Sequence, residues 1–255
     1  MNLHFLGTTG YHPNNRRQTA CVMLPEIGVI FDAGTGIFRV RDLIQTDTLD
    51  IFLSHIHLDH CIGLTFMFDV LFQKESTAVT VHVDESKISV LEDHLYHQQL
   101  FPVKPNYQIV PLKKRTELGS GHSIESFPIK HPGGCHGFRI QGDDIDLAYV
   151  TDTTASTDSE YVSHIKNVNT LIHECYFPDG WEDKAELTGH SCLTPVAKVA
   201  AAAKAEKTFL VHINPLNEEA VPLDLNSVAD VYPNLIIAED HMVIDVSLKG
   251  PRINV

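Results

Sequence analysis

The chain has 255 residues, a formal net charge of -14 and 43% hydrophobic residues. Its 19 Lys and Arg stand against 33 Asp and Glu, a balance that argues against gripping a long nucleic acid through its phosphates and for a small-molecule substrate. No apolar stretch is long enough for a membrane span, and no low-complexity linker divides the sequence, so one α/β domain over residues 1-255 is expected.

Taken in chain order, the amino terminus enters the strand-like Asn2-Leu3-His4-Phe5-Leu6 without the charged and apolar regions of a secretion signal. Five Cys (21, 61, 135, 175, 192) are odd in number and form no Cys-x-x-Cys pair, which fits free thiols in a reducing cytoplasm. The apolar run Asp50 to Ser54 reads as a buried strand, and Gly63 to Phe72 reads as an apolar helix. Between them lies His55-Ile56-His57-Leu58-Asp59-His60, three imidazoles and a carboxylate, the ligand types a borderline-soft divalent metal prefers. On a helix, His55 and His57 would point to nearly opposite faces; on extended chain they share one side. The cluster is therefore a strand-to-helix loop, with His55 and His57 facing one ion and Asp59 and His60 a second.

Lys113-Lys114-Arg115 reads as a solvated turn. The next three strands each deliver a ligand type to the loop at their carboxyl end. Ser123 to Lys130 stops at His131, Ile145 to Val150 at Thr151-Asp152, and Thr208 to Val211 at His212. Cys61 is expected to be packed, His94 and His97 to lie on a polar surface helix, and Phe66, Phe68 and Phe72 to be core.

These motifs, over nearly the whole chain, resemble the metallo-β-lactamase-fold hydrolases. His55, His57, Asp59 and His60 match the His-x-His-x-Asp-His signature, and His131, Asp152 and His212 match the later ligand positions in order. Phe5 to Gly10 and Phe31-Asp32-Ala33-Gly34 look like the family's first glycine turn and Asp-x-Gly strand end. The resemblance implies a four-layer αββα sandwich of two mixed sheets flanked by helices. It implies His55, His57 and His131 around a first metal, Asp59, His60 and His212 around a second, and Asp152 bridging them. Two divalent ions are expected, zinc by donor type, with manganese or iron as alternatives. Asp32 is a candidate acceptor for a ligand imidazole or a cap of the turn at Gly34.

His173-Glu174-Cys175-Tyr176-Phe177 and Gly189-His190-Ser191 resemble the paired motifs of the phosphodiesterase branch, which includes ribonuclease Z. That resemblance implies catalytic roles for His190, assisting the leaving group, and for Glu174, holding it; Asp59 is counted with the catalytic groups too. The plainer alternative is that Gly189-His190-Ser191 caps the following Ala-rich helix. Ribonuclease Z carries a long RNA-gripping arm between the positions of His131 and Asp152, which are close in this sequence, and Leu58 stands where that family usually has Gly. The expected function is a cytoplasmic phosphodiesterase acting on a small or cyclic phosphodiester through a two-metal-activated hydroxide. The alternatives are a lactone, thioester or lactam hydrolase of the same fold, a ribonuclease Z-like RNA-processing nuclease, or a structural metal protein. Related proteins are often dimers, and a homodimer is left open.

Overall fold

A computed structural model describes residues 1-74, 76-219 and 221-248. Among the described residues, fourteen strands form two seven-stranded mixed sheets. The first contains β1 (Asn2–Gly7), β2 (Cys21–Leu24), β3 (Val29–Phe31), β4 (Thr48–Phe52), β5 (Ala78–Val83) and β6 (Gln108–Pro111) in sequence order. The second contains β7 (Arg115–Glu117), β8 (Ser123–Ile129), β9 (Cys135–Gln141), β10 (Asp146–Val150), β11 (Thr170–Glu174), β12 (Lys207–Val211) and β13 (Leu235–Ile237). The last strand, β14 (Val243–Asp245), returns to the outer edge of β1.

Each sheet is antiparallel on one side and parallel on the other: β3 to β6 are parallel, as are β10 to β13. Parallel strands buried on both faces need apolar residues at nearly every position, which Leu171-Ile172 and Phe209-Leu210-Val211 supply. Side chains on alternating positions separate the layers. Phe5, Phe31, Phe52, Phe138, Tyr149 and Phe209 fill the space between the sheets. Leu49, Ile51 and Leu53 turn the other way, toward the helical turns that cover the first sheet. The helix Leu193–Ala203 covers the second sheet through Val196, Ala197, Val199 and Ala200.

Phe31 stacks on Phe138 at 5.5 Å and on Tyr149 at 5.4 Å, which joins the sheets directly beneath the metal-type residues. Each such ring removed from water contributes about 1.5–3 kcal/mol. Among the described residues no helix is long and apolar enough to cross a membrane.

Two local expectations fail. Residues 63-72 are not one helix but short turns: an α-helical turn Leu58–Cys61, a 3-10 turn Ile62–Phe66 and an α-helical turn Met67–Val70. Gly63 fits tightly against the Ala33 and Gly34 carbonyls, a contact that pins the chain where a regular helix would carry it away. Phe68 and Phe72 are consequently about half exposed rather than core, and the Arg41 guanidinium lies over the Phe72 ring at 5.3 Å. His94 and His97 are exposed, as expected: His94 lies on a continuous helical run whose last turn, Leu91–Leu95, is π-helical, and His97 follows that run.

Candidate active site

The carboxyl ends of β4, β8, β10, β11 and β12 meet at one edge of the sandwich. A hydrogen bond from the His136 amide to the Ser54 carbonyl ties the two sheets there. His57 is extended, at φ -60 and ψ 149, before the chain turns into Leu58–Cys61. That change of conformation separates the cluster as the spacing predicts. His55, His57, His131 and Asp152 form one group of donor atoms, and Asp59, His60 and His212 form another; within each group the atoms lie within 4.8 Å of one another.

Asp152 presents one oxygen to each group. Its Oδ2 is 3.5 Å from His55 Nε2 and 3.6 Å from His131 Nε2. Its Oδ1 is 3.2 Å from both His60 Nε2 and His212 Nε2. Asp59 Oδ2 is 3.2 Å from His212 Nε2 and 3.3 Å from His60 Nε2, and His131 Nε2 is 3.3 Å from His57 Nδ1. Two ligands of a tetrahedral ion with bonds near 2.1 Å stand about 3.4 Å apart. The donor spacing therefore fits divalent cations.

The hydrogen bonds behind the rings settle which nitrogen carries the lone pair. His60 Nδ1 donates to Asp32 Oδ2 at 2.8 Å, and His131 Nδ1 donates to the Gly189 carbonyl at 3.0 Å. Each Nε2 thus turns a lone pair inward. The buried His55 Nε2 makes no hydrogen bond at all, and a buried acceptor left bare costs free energy unless a cation is meant for it. Burial holds the His55, His57 and His131 imidazoles below their ordinary pKa, keeping them neutral. Burial pushes His60 the same way, but Asp152, Asp59 and Asp32 outweigh it and raise its pKa. The His60 and His212 imidazoles, joined by His55 at Asp152, hold the Asp59 and Asp152 carboxylates well below the usual range, against the opposing effect of burial.

Asp32 accepts from the Ser54 amide, the Ser54 hydroxyl, His60 and the Tyr149 hydroxyl. Of its two sequence-based roles, holding an imidazole is the one found; the Gly34 amide bonds to the Ala20 carbonyl instead. Asp32, Asp152 and His212 have φ values of 59, 34 and 56, left-handed conformations that cost about 1–3 kcal/mol each outside glycine. Such strain persists only where surrounding contacts impose it, and all three sit at this centre. Gly10 packs against the His212 ring so closely that a Cβ there would lie 2.1 Å from its Cε1.

Glu174 is fully buried at the end of β11. Its carboxylate accepts from the Thr153, Tyr176 and Ser191 amides at 2.9, 3.2 and 3.3 Å, and from His190 Nδ1 at 3.3 Å. The His190 ring lies 5.1 Å from that of His212 and 5.4 Å from that of His131. Tyr176 stacks on it at 4.8 Å, a contact the sequence did not disclose. Burial would depress the His190 pKa, but Glu174 reverses this and carries it up to about 9. The capping alternative fails, because Ser191 Oγ donates to the Thr153 carbonyl and the helix Leu193–Ala203 has no side-chain cap. Cys61 is packed, as expected, and all five cysteines are buried free thiols. Lys87, also unforeseen, lines a small compartment of about 130 Å³ walled by His55, His57 and Gly133.

A family profile described as "Beta-lactamase superfamily domain" matches residues 28–213. The chain belongs to that superfamily. Among curated relatives, ribonuclease Z of Archaeoglobus fulgidus is 24% identical over 303 aligned positions, covering 95% of this chain and 97% of its own. Ribonuclease Z of Methanococcus maripaludis (strain C7) is 25% identical over 314, covering 98% of this chain and 100% of its own. Among solved structures, the metallo-beta-lactamase fold protein YhfI from Bacillus subtilis has a TM-score of 0.77 at 16% identity, covering 95% of this chain and 98% of its own. Human tRNase Z, short form, has a TM-score of 0.75 at 20% identity, covering 97% and 100%. The αββα architecture is thus that of the superfamily.

These relatives correct one expectation. The acidic net charge was read as disfavouring a long nucleic acid, yet proteins named ribonuclease Z match this chain almost end to end. Net charge is a sum over the whole surface, whereas phosphate contacts are local, so a formal charge of -14 does not decide between substrates of different length.

Proposed function

We propose that this hydrolase of the beta-lactamase superfamily cleaves phosphodiesters with two divalent cations held by seven side chains. His55, His57 and His131 would hold the first, Asp59, His60 and His212 the second, and Asp152 would bridge them. When bound, such a pair supplies Lewis acidity, lowering the pKa of a water and polarising a phosphoryl oxygen. The chain's own residues do the rest. Asp32 and the Gly189 carbonyl fix the His60 and His131 tautomers, and Asp152 keeps the two donor groups in register. His190, with Nδ1 turned to Glu174, offers its other nitrogen as the proton donor to the departing alkoxide. Zinc is the first choice of metal by donor type. Five free thiols agree with a cytoplasmic setting.

The observation that carries this reading is the His190–Glu174 pair. An imidazole outside the seven donors, held by a fully buried carboxylate that raises its pKa, stands beside the donor cluster. A thioester, whose thiolate leaves readily near neutrality, has less need for it, and a closed structural site would not place an acid there. A small or cyclic phosphodiester is the first substrate class. Alignments of 303 positions exceed the 255 residues of this chain, so these relatives carry segments that it lacks. An RNA phosphodiester is the second class, favoured by the near end-to-end match to ribonuclease Z.

The leaving group provides the test. His190→Ala is expected to slow hydrolysis of a cyclic nucleotide, which expels an alkoxide, by about a hundredfold or more. Bis-p-nitrophenyl phosphate, whose leaving group needs no proton, should lose far less. Equal losses on both, or turnover of a homoserine lactone and a thioester alone, would overturn the reading. Cleavage of a precursor tRNA transcript in preference to both small diesters would select the second substrate class.

A further inference from the structure

Beside the metal-type cluster lies a cavity of about 470 Å³, within the size range of small-molecule sites. Its wall begins on the signature loop itself. In the extended stretch before the first helical turn, alternate side chains face opposite ways: His55 and His57 turn to the donor cluster, and the intervening Ile56 turns to the cavity. Leu58 continues that wall although 65% of it is exposed. The opposite wall comes from the turns after β5, through Val90, Leu95, Leu100 and Phe101. The polar exceptions in the lining are Thr65 and His94.

The cavity adjoins the catalytic edge. Ile56 and Val90 line both it and the smaller compartment walled by His55, His57 and Lys87. The donor cluster, the compartment that Lys87 lines and the apolar chamber thus stand side by side. Leu58 and Leu100, exposed by 65% and 76%, and Val90, at 39%, stand at its walls. Apolar side chains left wet together mark a surface that something covers.

We propose that this chamber is the specificity pocket of the enzyme and takes an alkyl or aryl substituent of the phosphodiester. The phosphate lies at the metal pair with its charge toward Lys87, and the apolar ester group extends past Ile56 into the chamber. This rests on the phosphodiesterase reading and adds the class of substrate: an amphiphilic diester with one apolar arm.

The test is a series of p-nitrophenyl alkyl phosphates, from methyl to octyl, with metal-loaded protein. Each methylene that enters the chamber should raise kcat/KM about fourfold until the space is full. Calorimetry with the matching alkylphosphonates, which are not hydrolysed, should show the same gain in affinity per methylene. Leu100→Glu and, separately, Val90→Glu place a charge at partly exposed positions and should collapse the octyl-to-methyl ratio toward one in both assays. Rates and affinities independent of chain length would overturn the pocket while leaving the phosphodiesterase reading intact. Chain-length-dependent phosphonate binding without hydrolysis of any diester would uphold the pocket and overturn that reading. A dimer by light scattering that Leu100→Glu splits, with the chain-length slope unchanged, would assign the patch to a second copy of the chain and overturn the proposal.

Discussion

The two donor groups that share Asp152 differ in what surrounds them. Around His55, His57 and His131 the dominant influence is burial, and each imidazole is kept neutral. Around His60 three carboxylates, Asp152, Asp59 and Asp32, outweigh burial and favour positive charge. One group is poised as bare lone pairs, and the other is a pocket of negative potential that protons fill when nothing else does. A divalent cation would answer both needs. At the first group it would satisfy acceptors such as His55 Nε2, which makes no hydrogen bond; at the second it would replace protons. Asp152 takes part in both with different oxygens, so the two groups are coupled through one side chain.

Removing that coupling is expected to produce the largest effect. Asp152→Ala takes from each group the carboxylate oxygen that faces its imidazoles. Phosphodiester turnover should fall about a thousandfold. Elemental analysis should find fewer than two equivalents of metal; two equivalents with normal turnover would refute the shared role. Chelation should act next. At a free metal concentration a hundred times Kd, each site adds about 2.7 kcal/mol to folded-state stability, so stripping metal should lower the Tm by about 5–10 °C. A Tm indifferent to chelator would mean that the cluster holds no ion in the folded protein.

How much of this could be read from the chain depends on how local the cause is. The seven donors were legible because each follows an apolar strand directly, and the spacing within His55 to His60 allows few backbone paths. Glu174 and His190 were legible as motifs, but their contact at 3.3 Å joins residues 16 apart and depends on the β11 end meeting the loop before the next helix. The left-handed conformations of Asp152 and His212 were not legible, since neither residue type announces a positive φ as glycine does. The Tyr176 stack and the placement of Lys87 are products of packing. Residues 63-72 misled because their apolar content is that of a helix, while the tight approach of Gly63 to Ala33 and Gly34 breaks them into turns.

The subtlest way to separate the two donor groups is through Asp32, which touches only one of them. It is completely buried, receives His60 Nδ1 at 2.8 Å, and is locked by Ser54 and Tyr149. As an anion it fixes the His60 tautomer and strengthens Nε2 as a donor. Asp32→Asn keeps the shape and one acceptor but removes the charge. Loss of such a hydrogen-bond partner typically weakens metal binding about 10- to 100-fold. Titration of metal-free protein should therefore show the affinity of one equivalent reduced by about tenfold and the other by less, because Asp32 reaches the first group only through Ser54 Oγ, 3.0 Å from His55 Nδ1. Equal weakening of both equivalents would mean that Ser54 or Asp152 transmits the change, and that the two groups act as a single electrostatic unit. No weakening at either would show that Ser54 and Tyr149 hold the His60 ring without the help of the charge.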